Sequence, residues 1–201
     1  MTRQLALPLQ PPPAPTLDNF VPGRNGEILA RLRELRAGRG TEAVLYLWGS
    51  AGSGRSHLLR ACERDGVRIA DDVERLEDPA QVELFHAINQ ARESGGTVLA
   101  AGALPPARLA LREDLRSRLA WGLVYEVKPL SDDERHVFLV GEAARRGLRL
   151  ADDVADYLLS HVRRDMASLG AILDHLDRTS LEQRRAITLP LVREALRTLP
   201  R

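Results

Sequence analysis

The sequence predicts an α/β core built on a parallel sheet, followed by an all-helical C-terminal domain. Three observations lead to this prediction. Before Pro129, short apolar runs rich in β-formers alternate with helical patterns, which is typical of a parallel sheet with helices on both faces. A glycine-rich segment joins the first strand to a helix. After Leu130 the apolar periodicity is helical only.

The core is expected to begin with a helix and to contain four strands. The third helix is bounded by Gly95-Gly96, and the second by Gly66. The predicted strands are 44–48, 67–70, 97–101 and 123–127, and the predicted helices are 25–36, one beginning near residue 55, 82–94 and 109–118.

The C-terminal domain is expected to contain four helices. Ser131 and Glu134 form a capping-box pattern for the first helix, which ends near Gly147. The second opens at residues 152–153, the third covers about 165–177, and Thr188 caps the last. The predicted organisation is an extended, proline-rich tail at 1–16, an α/β core at 17–130 and a helical lid at 131–201.

Composition limits the classes of function. The chain has 201 residues, 44% hydrophobic and 28% charged, as expected for a globular protein. The net charge of +1 gives no general basic field for nucleic acid, so sequence-specific DNA binding is not expected. The lone Cys62 excludes an internal disulfide framework. With no signal pattern or apolar run long enough to span a bilayer, a cytoplasmic location without membrane contact is predicted.

The segment from Gly49 to Ser56 fits the phosphate-binding P-loop except at one position. Its glycines allow backbone N–H groups to converge on phosphate oxygens, and Ser56 would place a hydroxyl on Mg²⁺. Arg55 stands where lysine is standard. A guanidinium still neutralises phosphate, but its wide plane fits a transferring γ-phosphoryl group less well. A glycine-rich turn without a ligand is the alternative.

Two further features bear on hydrolysis. Asp71 and Asp72 follow the second strand, where Asp71 would hold Mg²⁺ through water and Asp72 would orient the attacking water; alternatively, one of them caps a turn. At the tip of the third strand, Ala101-Gly102-Ala103 offers no polar side chain to sense a γ-phosphate. Both this tip and Arg55 argue against turnover by the protein itself.

Arginines supply the other candidates. Arg118 lies just before the fourth strand, where it could reach a neighbour's γ-phosphate as an arginine finger; a solvated surface arginine is the alternative. Arg164 could fold over a nucleotide from the lid, or could form a surface ion pair with Asp165.

Several motifs resemble the Hda family of DnaA-related AAA+ proteins, and the similarity spans essentially the whole chain. Arg55 within the P-loop is itself typical of that family. The matching segments are 4–9, 17–23, 52–59, 115–119, 128–132 and 163–166.

The resemblance implies a P-loop AAA+ fold with a helical lid, and a regulator of replication initiation. Bound to ADP (or ATP) and Mg²⁺, and docked on the DNA polymerase sliding clamp, such a regulator stimulates hydrolysis of ATP bound to DnaA. Arg118 would act in trans, and Ser56 and Asp71 would hold the metal. The implied clamp-binding residues are Gln4, Leu5, Leu7 and Leu9, and the implied nucleotide-binding residues are Phe20, Val21, Gly49, Gly52, Ser53, Gly54, Arg55, Ser56, His57 and Arg164.

One feature departs from the family. The interval 57–70 between the P-loop serine and Asp71 holds one helix and one strand, whereas the family inserts a further strand and helix. We therefore expect the sheet to lack its outer edge strand.

Of two other functions, one stays open and one is disfavoured. A self-sufficient ATPase, such as a helicase loader or clamp-loader subunit, predicts ATP turnover by the purified protein. An initiator that reads DNA would need a helix-turn-helix module, for which the last helix leaves no room. The sequence leaves the oligomeric state open, a homo-oligomer included.

Overall fold

The computed structural model describes residues 14–162, 166–183 and 185–198. The described residues divide into two compact units, one within 14–129 and the other within 130–198. Arg163, Arg164, Asp165 and the proposed clamp-binding tail lie outside the described residues.

The first unit is an α/β core of four strands and four helices. The strands form one parallel sheet in the order β2-β3-β1-β4. Short 3₁₀ turns at 73–75 and 106–108 precede α3 and α4. The elements are α1 Gly26–Arg36, β1 Val44–Trp48, α2 Arg55–Ala61, β2 Val67–Ala70, α3 Asp78–Ser94, β3 Thr97–Gly102, α4 Glu113–Leu119 and β4 Leu123–Glu126.

Helices cover both faces of this sheet, which confirms the predicted fold class. On one face, the leucines of α1 and α2 pack with Leu45, Leu47 and Leu99. On the other, α3 and α4 pack against Val44, Tyr46 and the opposite side of β3. The alternation along β1 therefore divides its side chains between two apolar layers, so the strand is fully buried at Val44–Leu47.

The short interval 57–70 before Asp71 contains β2, which lies at one edge of the described sheet. β2 pairs only with β3 and forms one edge of the described sheet, and Arg68 at its centre is exposed. After α2, the chain turns through Gly66, whose φ is +80°, and enters β2 directly. The expectation that the outer strand is missing agrees with this four-stranded order.

Helix α4 differs from the predicted helix over 109–118. The chain from Pro106 to Arg108 forms a 3₁₀ turn, and α4 begins only at Glu113. Pro105 and Pro106 place the chain in extended backbone before this turn. Leu109 is buried but is not part of a helix. The apolar periodicity of 109–118 therefore predicted the burial of Leu109 correctly and its secondary structure wrongly.

The second unit contains four helices around its own apolar core. Ser131 caps α5 through the predicted box: its hydroxyl accepts the Glu134 N–H, and the Glu134 carboxylate accepts the Ser131 N–H. Leu139, Leu158, Leu173 and other buried side chains fill the interior. The helices are α5 Asp132–Arg145, α6 Asp152–His161, α7 Met166–Gln183 and α8 Leu189–Thr198.

Candidate functional site

The loop between β1 and α2 has a backbone that only glycine tolerates at several positions. Gly52 and Gly54 have φ values of +77° and +99°. A Cβ on Gly49 would lie 2.5 Å from the Val127 carbonyl oxygen, and one on Gly54 would lie 2.7 Å from Cε2 of Phe20. The loop is therefore shaped by close backbone approach, as a phosphate cradle requires.

Two polar groups of this loop are buried and have no hydrogen-bond partner among the described residues. They are the hydroxyl of Ser53 and the Nη1 atom of Arg55, whose side chain is only 11% exposed. Burying such groups unpaired is unfavourable, so native proteins generally satisfy them. Both can donate hydrogen bonds, and one is a cation. An anionic ligand in the cradle would satisfy them, so these residues fit a phosphate group.

The acidic pair at the end of β2 has two different environments. Asp71 Oδ1 accepts the Asp72 backbone N–H at 2.9 Å. Asp72 has a left-handed backbone, with φ of 47°, and its carboxylate lies between two arginines. Its oxygens are 4.0 Å from Arg55 Nη2 and 3.4 Å from Arg75 Nη1. Asp72 is thus partly neutralised, whereas no ion pair is recorded for Asp71 within the described residues.

The tip of β3 carries polar groups that the sequence did not predict. Glu74 Oε1 accepts the Ala103 backbone N–H at 3.1 Å, and the Tyr46 hydroxyl donates to the Leu104 carbonyl at 2.8 Å. Burial raises the pKa of Tyr46, Glu74 raises it further, and Arg55 opposes them. Ala101-Gly102-Ala103 offers no polar side chain of its own, as expected, but polar groups from β1 and from the turn after β2 lie at this tip.

A segment before α1 packs on the start of α2. The Phe20 ring lies 5.6 Å from the His57 ring between centroids, and His57 Nε2 is hydrogen-bonded to the Thr16 carbonyl oxygen at 2.9 Å. Phe20 and Val21 are half-buried. The structure therefore brings Phe20 and His57 to the P-loop, with Val21 next to them in the chain.

Arg118, near the end of α4, is held by side chains on three sides. Its Nε donates to Asn89 Oδ1 at 2.9 Å. The guanidinium carbon lies 3.5 Å from the Trp121 ring centroid and 5.1 Å from that of Phe85. Trp121 is 46% exposed and also lies under Arg92, at 4.8 Å. Arg118 is a fixed, stacked arginine rather than a freely solvated one.

Sequence reasoning found Arg118 but missed the residues that hold it. Phe85 and Asn89 lie one helical turn apart on α3, where both read as part of an ordinary amphipathic helix. Trp121 follows α4 closely, and an exposed tryptophan beside an arginine-rich stretch was the available signal.

The described residues contain no cluster of three or more histidine, cysteine or acidic side chains suited to a metal ion. The described helices include none with the length and apolarity required to cross a bilayer.

Comparison with solved structures shows the fold. DnaA domain III from Thermotoga maritima is 20% identical with a TM-score of 0.75, covering 92% of this chain and 97% of that one. AMPPCP-bound DnaA from Aquifex aeolicus is 21% identical with a TM-score of 0.67, covering 79% of this chain and 63% of that longer one. The T. maritima RuvB Holliday junction branch migration motor is 16% identical, with a TM-score of 0.69, covering 92% and 72%.

A comparison with protein families is more specific for the C-terminal unit. The family described as "Hda, lid domain" matches residues 132–196, which include α5, α6 and α7 and most of α8. An AAA+ α/β core with the fold of DnaA domain III is thus joined to an Hda lid. The resemblance drawn from the sequence motifs is confirmed: the C-terminal unit is an Hda lid domain, and the core has the P-loop AAA+ fold.

Proposed function

We propose that this protein regulates replication initiation by stimulating the hydrolysis of ATP bound to DnaA, while it is itself nucleotide-bound and docked on the DNA-loaded sliding clamp. The observation that carries the proposal is Arg118, a cation fixed by Asn89 and Trp121 beside an exposed aromatic surface. The Hda lid and the DnaA-like core support the choice of DnaA as partner.

In this proposal Arg118 acts on the partner's nucleotide. Hydrolysis of ATP moves negative charge onto the oxygens around the γ-phosphoryl group, and an arginine supplied by another molecule stabilises that charge. A guanidinium that is already oriented costs less entropy to place than a free one. The Arg118 Nη atoms are the donors for this task, since Nε already binds Asn89.

The protein's own nucleotide, ADP in this proposal, occupies the Gly49–Ser56 cradle. Ser53 and Arg55 offer it buried, unpartnered donors. Ser56 and Asp71 provide the hard oxygen ligands that Mg²⁺ prefers and would hold that ion beside the phosphates. Bound Mg²⁺ would neutralise phosphate charge. In this proposal Phe20 and Val21 line the base pocket. The resemblance assigns nucleotide sensing to Arg164, which lies outside the described residues.

The environment of Asp72 favours this proposal over a self-sufficient ATPase. A carboxylate that orients attacking water needs its oxygens free, but those of Asp72 face Arg55 and Arg75. The purified protein is therefore expected to turn over ATP no faster than a no-protein blank, and brisk turnover would favour the helicase-loader or clamp-loader alternative.

The direct test is a reconstituted reaction. ATP-bound DnaA, clamp-loaded DNA and this protein are combined, and phosphate release is followed. We expect faster release only when all three are present. Equal release with and without this protein would contradict the proposed function.

Asn89→Ala is expected to lower the stimulated rate about tenfold, because Arg118 loses its only side-chain hydrogen bond recorded in the described structure. Phosphate release measures the effect. Gln90→Ala changes the next residue, which is exposed, and should leave the rate unchanged. If Asn89→Ala matches the parent, the hydrogen bond has no part in orienting Arg118.

The tail carries the proposed clamp contact, in which Gln4 hydrogen-bonds and the leucines enter an apolar pocket. Changing Gln4 and Leu7 together to alanine is expected to weaken co-elution with the clamp at least about tenfold. Gln10→Ala, just beyond the peptide, serves as the control and should co-elute like the parent. Undiminished co-elution of the double variant would remove the tail from the proposal.

A further inference from the structure

Glu74 brings a buried carboxylate oxygen to the beginning of the phosphate loop. Gly102, at the end of β3, is in register with Trp48, which directly precedes Gly49. Glu74 Oε1 binds the Ala103 N–H next to this position. Its other oxygen, Oε2, is buried and has no hydrogen-bond partner in the described structure.

Within the described residues the Glu74 carboxylate has no ion pair. The Tyr46 hydroxyl donates to the Leu104 carbonyl rather than to Glu74. Arg55 pairs with Asp72 and keeps Nη1 free of hydrogen bonds. Both side chains nevertheless shift the pKa of the Tyr46 phenol: Glu74 raises this pKa, and Arg55 lowers it. A cation and an anion therefore lie near one buried side chain at the mouth of the loop.

Glycine at position 102 is needed for this arrangement. A Cβ there would lie 2.9 Å from Glu74 Oε2 and would also collide with the Tyr46 hydroxyl. The space at the tip of β3 is therefore filled by the carboxylate and the phenol instead of by a side chain from β3 itself.

The free donors and the free acceptor have opposite consequences for a nucleotide. Arg55 Nη1 and the Ser53 hydroxyl can satisfy phosphate oxygens. Glu74 Oε2 cannot, because it carries negative charge and only accepts hydrogen bonds. Each further phosphate adds negative charge to the loop, and like charges repel more strongly in a partly buried site than in water.

We propose that Glu74 is a specificity-determining residue that makes the phosphate loop prefer a nucleoside diphosphate over a triphosphate by like-charge repulsion of the third phosphate. This inference rests on the proposed function, since it requires a nucleotide in the loop. It assigns the preference to one side chain that the P-loop pattern does not include.

The test is calorimetric titration of the full chain with ADP and with ATP, at one fixed Mg²⁺ concentration. Glu74→Gln keeps an oxygen that accepts the Ala103 N–H and removes the charge. We expect it to raise ATP affinity at least about tenfold and to change ADP affinity less than about threefold, which is the scale of one nearby charge.

Glu77→Gln is the matched control. It removes the same charge from an exposed position three residues away and should leave the ratio of ADP to ATP affinity unchanged. An unchanged ratio in Glu74→Gln, an equal loss of both affinities, or an equal shift in Glu77→Gln overturns the role of Glu74. A parent protein that binds neither nucleotide overturns the nucleotide site of the proposed function as well, so the two failures are distinguishable.

Discussion

Arg118→Ala is expected to reduce the stimulated hydrolysis of DnaA-bound ATP at least about 100-fold, since arginine fingers typically contribute more than this to the rate. The loss should appear in the maximal rate of phosphate release at saturating protein. Truncation also frees Asn89, which is half-buried on α3, and uncovers one face of Trp121, which is exposed just after α4. We therefore expect the variant to fold, with a circular dichroism spectrum like that of the parent.

Arg108→Ala provides the matched comparison. Arg108 precedes α4 in the chain and is exposed. Its loss removes the same charge from the same region and should leave the rate near the parent value. Arg118→Lys tests shape, because an ammonium keeps the charge but lacks the planar group that stacks on Trp121. Full activity of Arg118→Ala would exclude the finger assignment.

Gly54→Ala is expected to weaken ADP binding at least about 100-fold and to destabilise the fold by about 2 kcal/mol. The reason is a left-handed backbone with φ of +99°, which costs a side chain about 1 kcal/mol or more, together with the collision with Phe20. Movement of either partner would distort the loop beside Arg55. Calorimetry measures the affinity, and chemical unfolding measures the stability.

Gly66→Ala separates backbone strain from collision. Gly66 has φ of +80°, similar to that of Gly54, but a Cβ there would meet nothing within 4 Å. We expect a loss of stability of about 1 kcal/mol and no change in ADP affinity. If both variants bound ADP like the parent, the close approach of Phe20 to Gly54 would be irrelevant to the nucleotide site.

Structural features that depend on neighbouring residues in the sequence were predicted well. β1 and β2 have the predicted bounds. A continuous apolar run marks β1, and Gly66 and Asp71 bound the β-branched residues Val67 and Ile69 of β2. The Ser131 capping box was also predicted correctly, since all of its hydrogen bonds are made within one turn. The short interval before Asp71 predicted that the outer edge strand is missing, because one helix and one strand cannot supply an additional edge strand.

Contacts distant in sequence were not predictable from the same patterns. Arg118 meets Asn89, 29 positions away, and Ala103 meets Glu74 at the same separation. No periodicity within one element encodes such a pairing. The prediction of a helix over 109–118 was wrong for a related reason. Leu109 is buried in the apolar cluster that α3 and α4 form on one face of the sheet, and not as part of a helix.

The position of β2 at the edge of the described sheet bears on aggregation. An outermost strand exposes backbone N–H and C=O groups that can recruit an extended segment from another molecule, the first step of aggregation. Here the strand is only four residues long, and the charged Arg68 stands at its centre, 3.9 Å from Glu83. Brevity and charge are the protections that natural sheets use against such pairing, and the edge of the described sheet has both.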